Sequence, residues 1–138
     1  MLDQKLVIPM KKLAICTAIS GFIAVAFGAF GAHILRASVA PEMLAVWQTS
    51  VQYQMFHALT LLGIVVAGSR IPVALLSISG WLFVVGTLLF SGSLYALVLT
   101  GIKALGMITP IGGVLFLIGW LVLAFALVKF VTAQQADH

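Results

Sequence analysis

The sequence predicts an all-α integral membrane protein, a bundle of four transmembrane helices. Hydrophobic residues make up 63% of its 138 residues and charged residues 7%, which leaves too little polar surface for a water-soluble domain of this size. A bilayer core about 30 Å thick is crossed by a helix of roughly 20 apolar residues. Four stretches without Asp, Glu, Lys or Arg reach that length: residues 13 to 35, 43 to 69, 71 to 102 and 104 to 128.

The chain is predicted to form one domain, residues 1–138, made of the bundle alone. The connections between spans are short and leave no room for an aqueous domain. Residues 1–9 precede the string Met10-Lys11-Lys12 and are predicted to be an extension with little structure. The predicted spans cover about 12–33, 43–69, 72–100 and 106–130.

Span one carries small residues every four positions, which suits close helix packing in lipid. These are Ser20, Ala24, Gly28 and Ala32. The same role is predicted for glycines of spans three and four: Gly86, Gly92, Gly112, Gly113 and Gly119. Cys16 is the single cysteine, so an intrachain disulfide is excluded, and its position suits a small buried residue.

A helix that runs into span two is predicted to begin at Pro41 and Glu42, because proline fits the first turn of a helix and an acidic residue favours its positive end. We expect an interfacial helical extension before the span, anchored by Trp47. The first turns of this region are equally consistent with the wet outer end of one long tilted helix. Its apolar stripe is formed by Met43, Trp47, Val51 and Met55.

Spans two and three are predicted to form a hairpin, because Arg70 and Pro72 leave a very short connection. The stretch 71 to 102 exceeds one straight crossing, and tilt, a kink or an interfacial start would absorb the excess. Thr109 and Pro110 open span four.

The distribution of basic residues predicts the orientation. With four spans both termini share one side, which collects Lys5, Lys11, Lys12, Arg70 and Lys129, whereas the other side holds Arg36 and Lys103. The positive-inside rule then puts both termini in the cytoplasm.

Antiparallel spans bring distant polar residues to a similar depth in the non-cytoplasmic half. This candidate polar cluster consists of His33, Tyr53, His57, Ser91, Ser93, Tyr95 and Thr109. We expect His57 to be its hydrogen-bond hub, with Tyr53 and Tyr95 as phenolic partners. Ionisable groups at membrane depth are a functional hypothesis by default, whereas the structural alternative is that His57 fastens helices together through Tyr95, Ser93 or a backbone carbonyl.

The polar residues do not form a recognisable catalytic or metal motif. Ser91 or Ser93 with His57 would lack the orienting acid of a hydrolase, so no catalytic residue is assigned. Two histidines could ligate haem axially, but a metal site needs more ligands, and no metal or cofactor is predicted. The seven Lys and Arg residues are scattered rather than gathered on a basic face, which argues against nucleic-acid binding.

Five strings in order together resemble the YgdD-like family of small four-span bacterial inner-membrane proteins, a domain of unknown function related to a eukaryotic transmembrane protein. They are Gly28-Ala-Phe-Gly-Ala-His33, Tyr53-Gln-Met-Phe-His57-Ala-Leu, Leu89-Phe-Ser-Gly-Ser-Leu-Tyr95, Ile108-Thr-Pro-Ile-Gly-Gly113 and Gly119-Trp120. The resemblance covers roughly residues 10 to 130 and implies a multi-pass protein of the bacterial inner membrane. It implies no reaction, substrate or cofactor.

The function predicted from these observations is that of a non-enzymatic interaction or accessory protein of the membrane. Its expected partners are the lipid bilayer and either a second copy or another membrane protein. Two alternatives stay open: a small oligomeric transporter or channel, and a haem- or metal-binding membrane protein.

Overall fold

The computed structural model describes residues 4 to 68 and 73 to 136, and the side chains of residues 10 to 68 and 74 to 135. Its regular elements within these ranges are all helical. The four long helices are α1 (Gln4–His33), α2 (Pro41–Ala67), α3 (Val73–Thr100) and α4 (Thr109–Ala136), with short 3-10 helices at Leu35–Ala37 and Lys103–Met107. All four are long and apolar enough to cross a membrane, which confirms the predicted all-α bundle.

Helix α3 lies at the centre of the bundle. It packs along α4 and α2 and, less extensively, against α1, while α1 packs mainly on α2. Over the described residues the backbones of α2 and α4 do not come into contact, so these two helices meet through side chains. A groove therefore runs between α2 and α4.

Helix α2 begins where the sequence predicts. Pro41 occupies the first turn after an extended Ala40, and Glu42 lies in the same turn at the positive end of the helix. The helix then continues without interruption to Ala67. Three polar side chains enter the bundle from this helix, namely Ser50, Gln54 and His57.

The contact between α3 and α4 depends on glycine. A methyl group on Gly86 would lie 2.7 Å from Phe116 Cδ1, and one on Gly119 would lie 2.7 Å from Phe83 Cε1. A methyl group on Gly112 would clash with the backbone of Phe90. These helices thus approach as closely as small residues allow.

The other predicted packing residues vary in their surroundings. Ala24 is fully buried, Gly28 is in ordinary contact with Val51, and Gly113 lies 3.9 Å from Phe90. A methyl group on Gly92 would meet open space, so the structure does not give Gly92 a packing role. Ala32 is exposed.

Trp47 is a core residue, and its expected role as an interfacial anchor is wrong. Its side chain is 1% exposed, and its indole nitrogen donates to the carbonyl of Phe27 at 2.8 Å. The ring fits against Gly31, where a methyl group would lie 2.6 Å from the indole. The glycine on α1 therefore makes the space that the indole fills.

Gly101 ends α3 in the left-handed region, with φ of +72°, a conformation that glycine adopts without the strain of a side chain. The α3 helix itself runs unbroken for 28 residues, or about 42 Å at 1.5 Å per residue. It therefore exceeds one perpendicular crossing.

At the other end of the chain, α1 begins at Gln4, so residues 4 to 9 are helical rather than an extension without structure. Residues 1 to 3 and the predicted tight connection at Arg70 and Pro72 lie outside the described residues.

Candidate functional site

His57 lies near the middle of α2, with its side chain 5% exposed. Sixteen positions separate it from Pro41 and ten from Ala67, so it lies past the midpoint of the helix rather than in the half nearer Pro41. The residue therefore lies near the centre of a helix that is long and apolar enough to cross a membrane.

Both ring nitrogens of His57 are engaged. Nδ1 lies 2.7 Å from the carbonyl oxygen of Tyr53, and the indole Nε1 of Trp120 donates to His57 Nε2 at 3.3 Å. Since a carbonyl only accepts and an indole N–H only donates, Nδ1 carries the proton and Nε2 is the acceptor. The neutral ring is thus fully hydrogen-bonded within the bundle.

Aromatic rings of α3 and α4 pack against this imidazole. It stacks on Phe116 with centroids 3.6 Å apart and planes 7° apart, and Phe83 lies tilted at 5.1 Å. Phe83 belongs to α3 and Phe116 to α4, so His57 joins three helices. Its contacts are those of a residue that fastens helices.

Tyr95 does not reach His57, contrary to the expected phenolic partnership. Its hydroxyl donates to Oε1 of Gln54 at 2.8 Å, and Nε2 of Gln54 donates to the carbonyl of Ser20 at 3.1 Å. Gln54 therefore links α1, α2 and α3 in one chain of hydrogen bonds. Tyr53 contributes its backbone carbonyl to His57, while its ring stacks on Phe90 at 4.6 Å.

The serines of the predicted cluster form two further, separate ties. Ser50 Oγ donates to the Ser91 carbonyl and Ser91 Oγ donates to the Ser50 carbonyl, both at 2.8 Å. Ser93 Oγ and Thr109 Oγ1 lie 2.7 Å apart and join α3 to α4. The predicted cluster thus divides into pairs instead of meeting at His57.

His33 is apart from all of these contacts. It is the last residue of α1, and its side chain is exposed, whereas His57 is buried beyond the middle of α2. Within the described ranges, no group of three or more His, Cys, Asp or Glu side chains is placed to hold a metal ion.

The amino-acid sequence of this helical chain matches the model of one family. A family model described as "Protein of unknown function (DUF423)" matches residues 27–113, which is more than half of the chain. The chain belongs to the DUF423 family. The matched range contains the Ser50–Ser91 and Gln54–Tyr95 ties and stops before Trp120.

Relatives of this DUF423 chain are bacterial membrane proteins. A UPF0382 membrane protein of Staphylococcus aureus (strain bovine RF122) is 49% identical over 123 residues, covering 88% of this chain and 98% of that protein. The UPF0382 membrane protein YwdK of Bacillus subtilis (strain 168) is 44% identical over 122 residues, covering 88% and 99%. No solved structure matches the chain.

The face of α2 turned away from the DUF423 bundle carries exposed residues at a spacing of four, four, three and four. We call this the α2 stripe; it consists of Gln48, Gln52, Phe56, Leu59 and Gly63. Phe56 is 57% and Leu59 59% exposed. Across the residues whose side chains are described, the amides of Gln48 and Gln52 make no hydrogen bond.

Sequence reasoning missed Trp120, Gln54, Ser50 and the α2 stripe as parts of this arrangement. Gln54 had a visible signal, because an amide at the centre of a span needs a partner. Trp120 lies near the middle of α4, where its indole N–H also needs an acceptor, but the sequence does not show which residue supplies it. Ser79, which donates to the carbonyl of Gly119 at 2.9 Å, was also missed.

Proposed function

We propose that this DUF423 protein is a non-enzymatic membrane protein that acts by contact with a membrane protein through the α2 stripe. The observation that carries the proposal is the pair of exposed, unpaired amides of Gln48 and Gln52 in a transmembrane helix. Gln52 is two residues from Gln54, the midpoint of α2, and so about 3 Å along the helix from its centre. Moving an amide from water into a hydrocarbon that offers no hydrogen-bond partner costs on the order of 4 to 8 kcal/mol.

The use of the interior polar groups supports the same proposal. Gln54, Ser50, Ser91 and Tyr95 are hydrogen-bonded to other helices, and both nitrogens of His57 are engaged. These groups are therefore committed to holding the bundle together. The polar groups of α2 that can still form hydrogen bonds to a partner are those on its exposed face.

We also propose a location and orientation for the protein, which its composition and its bacterial membrane relatives support. We place it in the bacterial inner membrane with both termini in the cytoplasm, because five of its Lys and Arg residues lie on the side of the termini and two on the other. The YgdD-like name and the eukaryotic relative remain an interpretation of the five sequence strings.

The two alternatives make different demands on His57. A transporter or channel would use it along a wet path, and a haem or metal centre would use one of its nitrogens as a ligand. Either role requires His57 to leave Trp120 or the Tyr53 carbonyl, each of which it contacts now. An ion flux in proteoliposomes, or a visible absorption band with a copurifying metal, would favour these alternatives.

A photoreactive amino acid at position 52 tests the proposal. We expect ultraviolet irradiation of native membranes to give a discrete protein adduct, identified by mass spectrometry. Position 111 is the control: Ile111 is 55% exposed on α4 and lies at a similar level, because Phe90 contacts both Tyr53 and Gly112. Adducts with lipid alone at position 52, or identical protein adducts at both positions, would overturn the proposal.

A further inference from the structure

We infer that the partner of the α2 stripe is the α2 stripe of a second copy of this chain, in a parallel, two-fold symmetric dimer. This inference rests on the proposed function and adds the identity of the partner. It is carried by the self-complementary chemistry and shape of the stripe.

Insertion into the membrane fixes the symmetry. Two copies that insert with the same orientation can be related by a two-fold axis along the membrane normal, and closed two-fold interfaces are the commonest in homo-oligomers. Under that axis each residue of the stripe meets the same residue of the other copy at the same depth. A stripe can pair with itself only if its polar residues are self-complementary.

Gln48 and Gln52 meet this requirement. A glutamine amide carries two N–H donors and a carbonyl acceptor, so two such amides facing each other satisfy both groups. A lysine or an aspartate in their place would repel its symmetry mate. The described residues of the stripe carry no charge, so they offer nothing to select a charged partner.

The surroundings of the stripe are also self-complementary in shape. The stripe is a ridge with an open groove on either side: one of about 330 Å³ between α1 and α2, and one of about 620 Å³ between α2 and α4. Gln52 and Phe56 line both grooves. The ridge of one copy can therefore lie beside that of the other and fill a groove.

Small residues permit the close approach that such packing needs. A methyl group on Gly63 would meet no atom within 4 Å, and Gly28 and Ala32 line the α1 side of the ridge. The spacing of Gln48, Gln52, Phe56, Leu59 and Gly63 consists of the three- and four-residue steps that occur in paired helices. Association in lipid relies on such packing and on interhelical hydrogen bonds.

Disulfide crosslinking tests the inference with little change to the chain, because Cys16 is its single cysteine. In a Cys16→Ala background, we expect Gln52→Cys to give a disulfide-linked dimer on oxidation of native membranes. Two differently tagged copies should copurify after crosslinking. Ile111→Cys in the same background, exposed at a similar level on α4, should stay monomeric.

Association strength gives the second readout. Gln52→Leu should raise the dissociation constant of the dimer in lipid vesicles by roughly tenfold, the effect of losing about 1.4 kcal/mol of interhelical hydrogen bonding. Gln52→Asn, which keeps the amide, should retain most of the affinity. A dissociation constant unchanged in Gln52→Leu would overturn the inference.

The outcomes separate this inference from the proposed function. If Gln52→Cys yields no dimer while the photoreactive residue at position 52 captures a different protein, the inference of a dimer is wrong and the proposed contact function stands. If position 52 captures no protein at all, both fall. Equal crosslinking at positions 52 and 111 would show random collision and would overturn the dimer.

Discussion

The indole nitrogen of Trp120 donates to Nε2 of His57 across 3.3 Å, which joins α4 to α2 at a place where their backbones do not touch. The Nδ1–H of the buried imidazole donates a hydrogen bond to the Tyr53 carbonyl at 2.7 Å. An ionisable residue deep in the membrane is thus held as a neutral link between helices. The other polar residues and the small residues of the bundle likewise differ in what they contact.

Trp120→Phe should lower the free energy of unfolding by about 1 to 2 kcal/mol, because it leaves His57 Nε2 without a donor in an apolar site. Reversible unfolding in mixed micelles or a steric-trapping assay in bicelles would measure it. Trp81→Phe is the control, since Trp81 is half-buried and makes no hydrogen bond among the described side chains. Equal losses in the two variants would show that ring size, not the hydrogen bond, sets the effect.

Gly112→Ala should destabilise the bundle by about 1 to 3 kcal/mol, because the added methyl group meets the Phe90 backbone, which cannot move aside as a side chain would. Gly92→Ala is the matched change in α3 and meets open space. It should be neutral or stabilise by roughly 0.5 to 1 kcal/mol through helix propensity. Thermal unfolding of the two variants in one detergent would compare them, and a Gly92→Ala loss as large as that of Gly112→Ala would contradict the packing account.

Tyr95 and Gln54 should be energetically coupled, because the Tyr95 hydroxyl donates to Gln54 Oε1 at 2.8 Å. Tyr95→Phe and Gln54→Leu should each destabilise, and the double variant should lose less than the sum of the two. A double-mutant cycle on the free energy of unfolding should give a coupling on the order of 0.6 to 1.7 kcal/mol. Strict additivity would mean that the two side chains do not interact.

Thr87→Val should leave the free energy of unfolding unchanged or raise it by about 1 kcal/mol. The Thr87 hydroxyl is buried without a hydrogen-bond partner, so its replacement by a methyl group of similar shape removes an unsatisfied group. Ser91→Ala is the contrast, because the Ser91 hydroxyl bonds to the Ser50 carbonyl. A clear loss in Thr87→Val would mean that the hydroxyl has a partner in the membrane.

The helices could be predicted from the sequence because their causes are local. Stretches free of charge set the number of spans, and Pro41 with Glu42 marks the first turn of α2. The antiparallel order of the spans also follows from their number and short connections. These features do not depend on how each helix is rotated.

The contacts of the polar residues could not be predicted, because they depend on that rotation. Tyr95 was expected at His57 but turns to Gln54, and Trp47 was expected at the interface but fills the space at Gly31. Likewise Gly92 and Gly112 look alike in the sequence, yet only Gly112 of this pair touches the backbone of a neighbour. Packing between helices decides each case.

The central claim is that one face of α2 holds the bundle together and the other contacts a partner. The most direct test compares Gln52→Leu with Gln54→Leu in both an unfolding assay and an association assay. The two glutamines are two residues apart, one exposed and unpaired, the other buried and bonded to Tyr95 and Ser20. We predict that Gln54→Leu lowers the free energy of unfolding of the monomer, whereas Gln52→Leu leaves it unchanged and weakens association. Two variants that lose stability alike, with association intact in Gln52→Leu, would contradict the account.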